Sequence, residues 1–128
     1  MLDTSDNLGP RRKSAIVASE LSRYSIAVAA LQETRLEGTG EMRERTHTFF
    51  WSGVPAGERR VAGVSIVVKN TLVGNIVGTP ICISSRLMKL KVELQPNCFV
   101  TIISAYAPTL DAEVQTKEEF YGLSLIHI

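Results

Sequence analysis

At 128 residues, with 45% hydrophobic and 21% charged side chains, the chain has the composition of one folded domain or part of a larger one, which excludes a disordered or low-complexity segment. Its 14 basic and 13 acidic side chains leave a formal net charge of +1, so any nucleic-acid or membrane partner must be argued from local placement and not from bulk charge. No run approaches the ~18 consecutive apolar residues of a membrane span, and the opening stretch has no basic region followed by an apolar core; the expectation is an intracellular chain, nuclear or cytoplasmic, neither secreted nor held in a membrane.

The first element follows a Gly-Pro breaker. A helix is predicted from about Pro10 to Arg23, because Val17, Leu21 and Tyr24 recur at helical spacing while Arg12, Ser19, Glu20 and Arg23 fall on the other sides. Proline is tolerated at a first helical position. "SIAVAAL", Ser25 to Leu31, runs apolar without alternation, which suits a strand covered on both faces. "ETRLEGTGEMRERTH" reads as a polar surface loop, and Thr46 to Gly53 as a β-branched and aromatic strand. "VPAGERR" is turn chemistry, and Val61 to Asn70 is another near-continuous apolar strand.

From Arg86 onward, Met88, Leu90, Val92 and Leu94 alternate with Lys89, Lys91 and Glu93, giving a strand with one dry and one wet face. A turn at Gln95-Pro96-Asn97 leads into Cys98 to Pro108, continuously apolar and read as a central strand. A closing helix is expected from about Asp111, as N-cap, to Tyr121, with Gly122 as its stop. The terminal "LSLIHI" continues no pattern. The order α-β-β-β-β-β-α indicates an α/β fold with mixed sheets and outer helices.

Folding the chain at Gln95–Asn97 would set Leu94 opposite Cys98 and Cys82 roughly opposite residue 110. That is far beyond the ~7 Å Cα separation a disulfide can bridge. Two free thiols are expected, with no disulfide partner and no metal-ligand spacing.

Two of the buried strands end in polar residues that are not turn formers: Gln32 and Glu33 after the first, Tyr106 before Ala107-Pro108-Thr109 after another. In α/β proteins, ligand sites gather at the carboxyl ends of strands. A carboxylate there can hold a hard cation such as Mg²⁺, and a tyrosine hydroxyl can bond a phosphate oxygen. By residue type alone, a solvated loop glutamate and a packing tyrosine are the commoner readings. His47 is read as an exposed strand residue. Arg11, Arg12 and Lys13 read as a solvated helix start, because the helix dipole disfavours positive charge there. Arg59 and Arg60, in a loop before a core strand, are the better candidates for nucleic-acid phosphate contacts, and Arg35 reads as an ion-pair partner of Glu33.

"IAVAALQETRL", then "GVSIVV" about thirty residues later, then "IISAYAPT", resembles the endonuclease/exonuclease/phosphatase superfamily. The wording is most similar to the endonuclease domains of non-LTR (LINE-type) retrotransposons and to the craniofacial development protein 2-like group. The resemblance spans roughly Leu2 to Tyr121 and rests on three motifs in order. It implies a partial DNase I-like four-layer α/β sandwich, roughly the N-terminal half, over residues 1–121, with 122–128 a tail outside it. By position it makes Glu33 a metal ligand, Tyr106 a catalytic residue near the scissile phosphate, and Gln32 a supporting residue. Thr109 falls where many members carry asparagine. The implied cofactor is Mg²⁺, with Mn²⁺ as a substitute, and the implied partner is DNA.

The same comparison implies incompleteness. The family's first strand, with its asparagine, its Gly-Asp-Phe-Asn segment and its Ser-Asp-His segment have no counterpart here, and complete domains run to about 200 residues or more. The expectation is a catalytically incomplete fragment of a phosphodiester endonuclease. One alternative is a non-enzymatic remnant or interaction module with open sheet edges. Another is a phosphoinositide- or sphingomyelin-type phosphatase of the same superfamily.

Overall fold

The computed structural model describes residues 9–55, 57, 62–110 and 112–127. In chain order the elements are α1 (Gly9–Arg23), β1 (Val28–Gln32), β2 (Thr39–Arg43), β3 (His47–Ser52), β4 (Val64–Lys69), α2 (Asn70–Val73), β5 (Ile81–Ser84), β6 (Leu87–Gln95), β7 (Cys98–Ala105) and α3 (Val114–His127). They form a four-stranded sheet in the order β1-β4-β3-β2 and a three-stranded sheet in the order β5-β6-β7. The expected α/β class is what the structure has. Mixed sheets are not: among the described residues every ladder between strands is antiparallel, with one isolated parallel bridge at Glu37–Val54.

Period-two alternation explains how one sheet serves two layers. On β3 and β4, Phe49 and Val67 face α1 and pack with Ala18 and Leu21, with Val17, Ala29 and Leu31 around them. Their neighbours Phe50, Val64, Ile66 and Val68 point the other way, onto Met88, Leu90 and Val92 of β6. The layers are therefore helix, four-stranded sheet, three-stranded sheet. Continuous apolar sequence on β4 reflects burial on both faces, five of its six residues being buried. On β6 the alternation predicted from Met88 to Val92 is present, although Leu94 is exposed. Among the described residues, no helix is long and apolar enough to cross a membrane.

Several boundaries differ from expectation, each for a local reason. The first strand begins at Val28 and not at Ser25, because residues 24–26 close α1. Ser25 adopts φ 57°, its N–H bonds Ser22 O at 3.1 Å, and Ile26 N–H reaches Leu21 O at 2.8 Å. This is the double bond of a Schellman C-cap. Nor is β1 doubly covered: among the described residues it is an edge strand paired with β4 alone, and half-buried. The interior face of α1 is set by Ala18 and Leu21, while Tyr24 is exposed.

The polar stretch read as a loop contains β2, whose residues are almost all exposed at the sheet edge. Short β5 was likewise absent from the expected order. The strand from Cys98, expected to be central, is the outer strand of its sheet, and Cys98 to Thr101 are exposed. Its turn places Pro96 before Asn97 at φ 61°, type II chemistry. A register shift then opposes Gln95, and not Leu94, to Cys98, while Cys82 lies on β5 opposite Met88. Both cysteines are free.

The closing helix passes through Gly122 and runs to His127, anchored by buried Phe120. A single interior glycine costs only about 1 kcal/mol against alanine and does not stop it. The proposed cap Asp111 lies outside the described residues.

Candidate functional site

β1 and β7 are the outer strands of their respective sheets, and they lie on the same side of the sandwich. Ser104 of β7, fully buried, donates its hydroxyl to Leu31 O at 3.0 Å, and Gln32 Nε2 donates to Ser104 Oγ at 3.4 Å. These bonds hold the carboxyl ends of the two strands together. One residue beyond the end of each strand, at Gln32 and Ala105, come Glu33 and Tyr106. The phenol of Tyr106 donates to Glu33 Oε1 at 2.5 Å, the short distance of an O–H bond to a charged oxygen. Two residues singled out from sequence as separate strand-end features thus form one hydrogen-bonded pair.

Glu33 reaches this position through unusual backbone. Both Glu33 and Arg35 adopt φ 55°, a left-handed conformation that non-glycine residues rarely hold without support. The support comes from the segment before β4: Thr34 N–H bonds Gly63 O at 3.1 Å and Arg35 N–H bonds Ala62 O at 3.1 Å. Glu33 is therefore turned out of the strand and left exposed, while Thr34 is buried.

Tyr106 packs against the core cluster and is contacted by Arg86, in the turn between β5 and β6. Tyr106 N–H bonds Arg86 O at 2.8 Å, Arg86 Nη1 donates to Tyr106 O at 3.3 Å, and the guanidinium lies 4.9 Å from the ring centroid. Arg86 N–H in turn donates to Ser84 Oγ at 3.1 Å. The phenol's pKa is raised above its ordinary value, first by the hydrogen bond to Glu33, then by partial burial and by the Glu33 charge. The cations of Arg86 and Arg35 pull the other way without cancelling this.

The fit to a divalent cation is narrow. Among the described residues no three His, Cys, Asp or Glu side chains gather to hold a metal. At this rim Glu33 offers one exposed carboxylate, whose Oε1 is engaged by Tyr106. Mg²⁺ accepts such a site, since it prefers hard oxygen donors and is commonly held by one or two carboxylates, retained waters and substrate phosphates.

Other expected residues fall elsewhere. Gln32 ties β1 to β7 through Ser104 and has no hydrogen bond to Glu33 or Tyr106 among the described residues. Thr109 is exposed beyond β7. Arg59 and Arg60 lie outside the described residues. His47 is not an exposed strand residue: it is 1% exposed, and its Nε2 lies 2.8 Å from Ile26 O. That nitrogen must carry the proton, because a carbonyl only accepts. Nδ1 lies 2.8 Å from Thr46 Oγ1 and accepts from it in the neutral ring. His47 is a structural rivet between the end of α1 and β3. Arg86, Ser104 and Gly63 went unnoticed in the sequence. Ser104 alone carried a signal, as the polar residue set between Ile103 and Ala105 in an apolar run.

No family model matches the chain. Craniofacial development protein 2 of Bos taurus is 28% identical over 110 residues, covering 85% of this chain and 18% of that protein. The protein of the same name from Tragulus javanicus is 27% identical over 109 residues, with the same coverage. The chain thus spans about a fifth of the length of these curated relatives, to which it is distantly similar.

Proposed function

We propose that the chain carries the Glu33 half of a Mg²⁺-dependent phosphodiester-cleaving site of the endonuclease/exonuclease/phosphatase type, acting on DNA, and that it is catalytically incomplete by itself. The observation that carries this reading is the Glu33–Tyr106 bond, which joins the carboxyl ends of two strands from two sheets on an exposed rim. The similarity to craniofacial development protein 2 supports it, as does the resemblance of the three motifs to retrotransposon endonucleases.

In this reading Glu33 supplies the oxygen that holds Mg²⁺, and the ion, when bound, polarises a phosphoryl oxygen and neutralises charge developing on it. Tyr106 keeps its proton over the physiological range and so remains a hydrogen-bond donor, able to address a phosphate oxygen. Arg86 and Arg35 place positive charge beside the phenol, which favours an anionic substrate. A general base has to come from elsewhere: His47 is buried with both ring nitrogens engaged.

The test uses protein labelled with ¹³C at tyrosine Cζ, titrated with Mg²⁺, alongside nicking of supercoiled plasmid. The Tyr106 signal should move on Mg²⁺ addition, the movement should vanish in Glu33→Gln, and the chain alone should not nick. Movement that persists in Glu33→Gln would remove the metal-ligand assignment, and efficient nicking would remove the claim of incompleteness.

A second reading, an interaction module without catalysis, is favoured by β7, where Phe99 is 46% and Val100 39% exposed on an outer strand. Absence of any Mg²⁺ response, together with self-association abolished by Val100→Lys, would select it.

A further inference from the structure

We propose that Arg86 is a positioning residue that holds the Tyr106 ring so that its hydroxyl spans the two sheets to Glu33. The inference rests on reading Glu33 and Tyr106 as one site. It does not depend on which ligand that site takes.

Three independent contacts converge on Tyr106 from this one residue. The backbone bond from Tyr106 N–H to Arg86 O continues the β6–β7 ladder one step beyond the Leu87–Ala105 pair. That bond fixes where the Cα of Tyr106 stands, but leaves its side-chain torsions free. Packing on the core cluster restricts those torsions in part, and the guanidinium restricts them further. It lies 4.9 Å from the ring centroid, within the range of a cation–π contact, while Nη1 donates to the carbonyl of the same residue. A planar group pinned at one end to the Tyr106 backbone and laid against its ring restricts rotation about the bonds between them. Lysine cannot reproduce this, because its ammonium is a point charge on a flexible stem and has no planar fork.

Arg86 is itself held from the core side. Its N–H donates to Ser84 Oγ, and Ser84 O accepts the hydroxyl of buried Ser52 on β3 at 2.6 Å. A chain of contacts therefore leads from the four-stranded sheet through Ser84 and Arg86 to Tyr106, and back across to Glu33 on the same sheet. Tyr106 is half-buried and packs against the core cluster that includes Phe50, Ile66 and Met88, but its hydroxyl reaches past that packing to exposed Glu33, so the guanidinium adds to the core contacts in setting the ring's angle. A rotamer left free on the rim would spend the hydrogen bond's enthalpy on immobilising itself.

The experiment reads the Tyr106 Cζ resonance in metal-free, ¹³C-labelled protein, assigned by its loss in Tyr106→Phe, with Tyr24 and Tyr121 as internal references. Glu33→Gln defines the shift produced by losing the carboxylate acceptor. Arg86→Met, which keeps the bulk and removes the planar cation, should move the Tyr106 signal at least half as far in the same direction and leave the two references in place. The double variant should add nothing beyond Glu33→Gln alone. Arg86→Lys should rescue less than half of the change and guards against a misfolded methionine variant, a point checked by an unchanged thermal midpoint. An unmoved Tyr106 signal in both arginine variants, or full rescue by lysine, would overturn the assignment. Because no metal is present, failure here is separate from failure of the Mg²⁺ titration.

Discussion

A β-carbon placed on Gly63 would stand 2.6 Å from Thr34 Oγ1 and 2.9 Å from Arg35 N, and Gly63 itself has φ 130°. The residue that accepts the Thr34 N–H bond is therefore also one that no side chain can replace. Gly63→Ala should destabilise the chain by about 1–3 kcal/mol, from left-handed strain and the close approach together. It should also push residues 34 and 35 away and with them the Glu33 carboxylate. Urea denaturation measures the first effect, and movement of the Tyr106 resonance toward its Glu33→Gln position measures the second.

The pair on the rim should matter little to stability. Glu33 is exposed, so solvent screens its bond to Tyr106, and such contacts contribute at most about 1 kcal/mol. Glu33→Gln and Tyr106→Phe should each shift the urea midpoint only slightly, whereas Glu33→Gln should abolish Mg²⁺ binding as followed by calorimetry. A large loss of stability in both variants would make the pair a structural tie and not a site.

His47 should behave in the opposite way. Replacing it by alanine leaves Ile26 O and the Thr46 hydroxyl without their ring partners and opens space beside β3. The expected cost is about 2–4 kcal/mol, combining a cavity with lost buried hydrogen bonds. Thermal unfolding of His47→Ala measures it, and the Tyr106 resonance should stay where it is.

Alkaline pH should weaken the fold through Tyr106. Its folded-state pKa is raised above the ordinary value of 10.0, chiefly by the bond to Glu33, so the folded chain holds that proton more tightly than the unfolded chain does. The contribution is complete below about pH 10 and is lost as the pH rises through the folded-state value. Urea midpoints measured across pH 9–11 should fall more steeply for the native chain than for Tyr106→Phe.

How much of this was legible in the sequence depended on burial. β3 and β4 were visible because both faces of β4 are covered, and apolar continuity reports that directly. β2 was not visible, since Thr39, Gly40, Glu41 and Arg43 lie exposed on an edge and carry no periodic apolar signal. The apolar run of β7 misled in the other direction, because its first half is exposed on an outer strand. Glu33 and Tyr106 were each recognisable as strand ends, but their pairing was not. It follows from the order β1-β4-β3-β2 and from which edge of each sheet meets the other. The role of Arg86 was equally hidden, because its contacts are with a residue twenty positions away.

The separation of Glu33 and Tyr106, 73 positions along the chain, has a consequence in time. On a ribosome adding about 5–20 residues per second, Tyr106 emerges roughly 4–15 s after Glu33. In that interval β1 must also wait for β4, its pairing partner, before it has any place in a sheet. Loop closures of this length favour local contacts first, so the β6–β7 hairpin should form before the two sheets meet. The carboxylate and the phenol join only in that last docking step, so a nascent chain has no assembled site until the chain has been made through Tyr106.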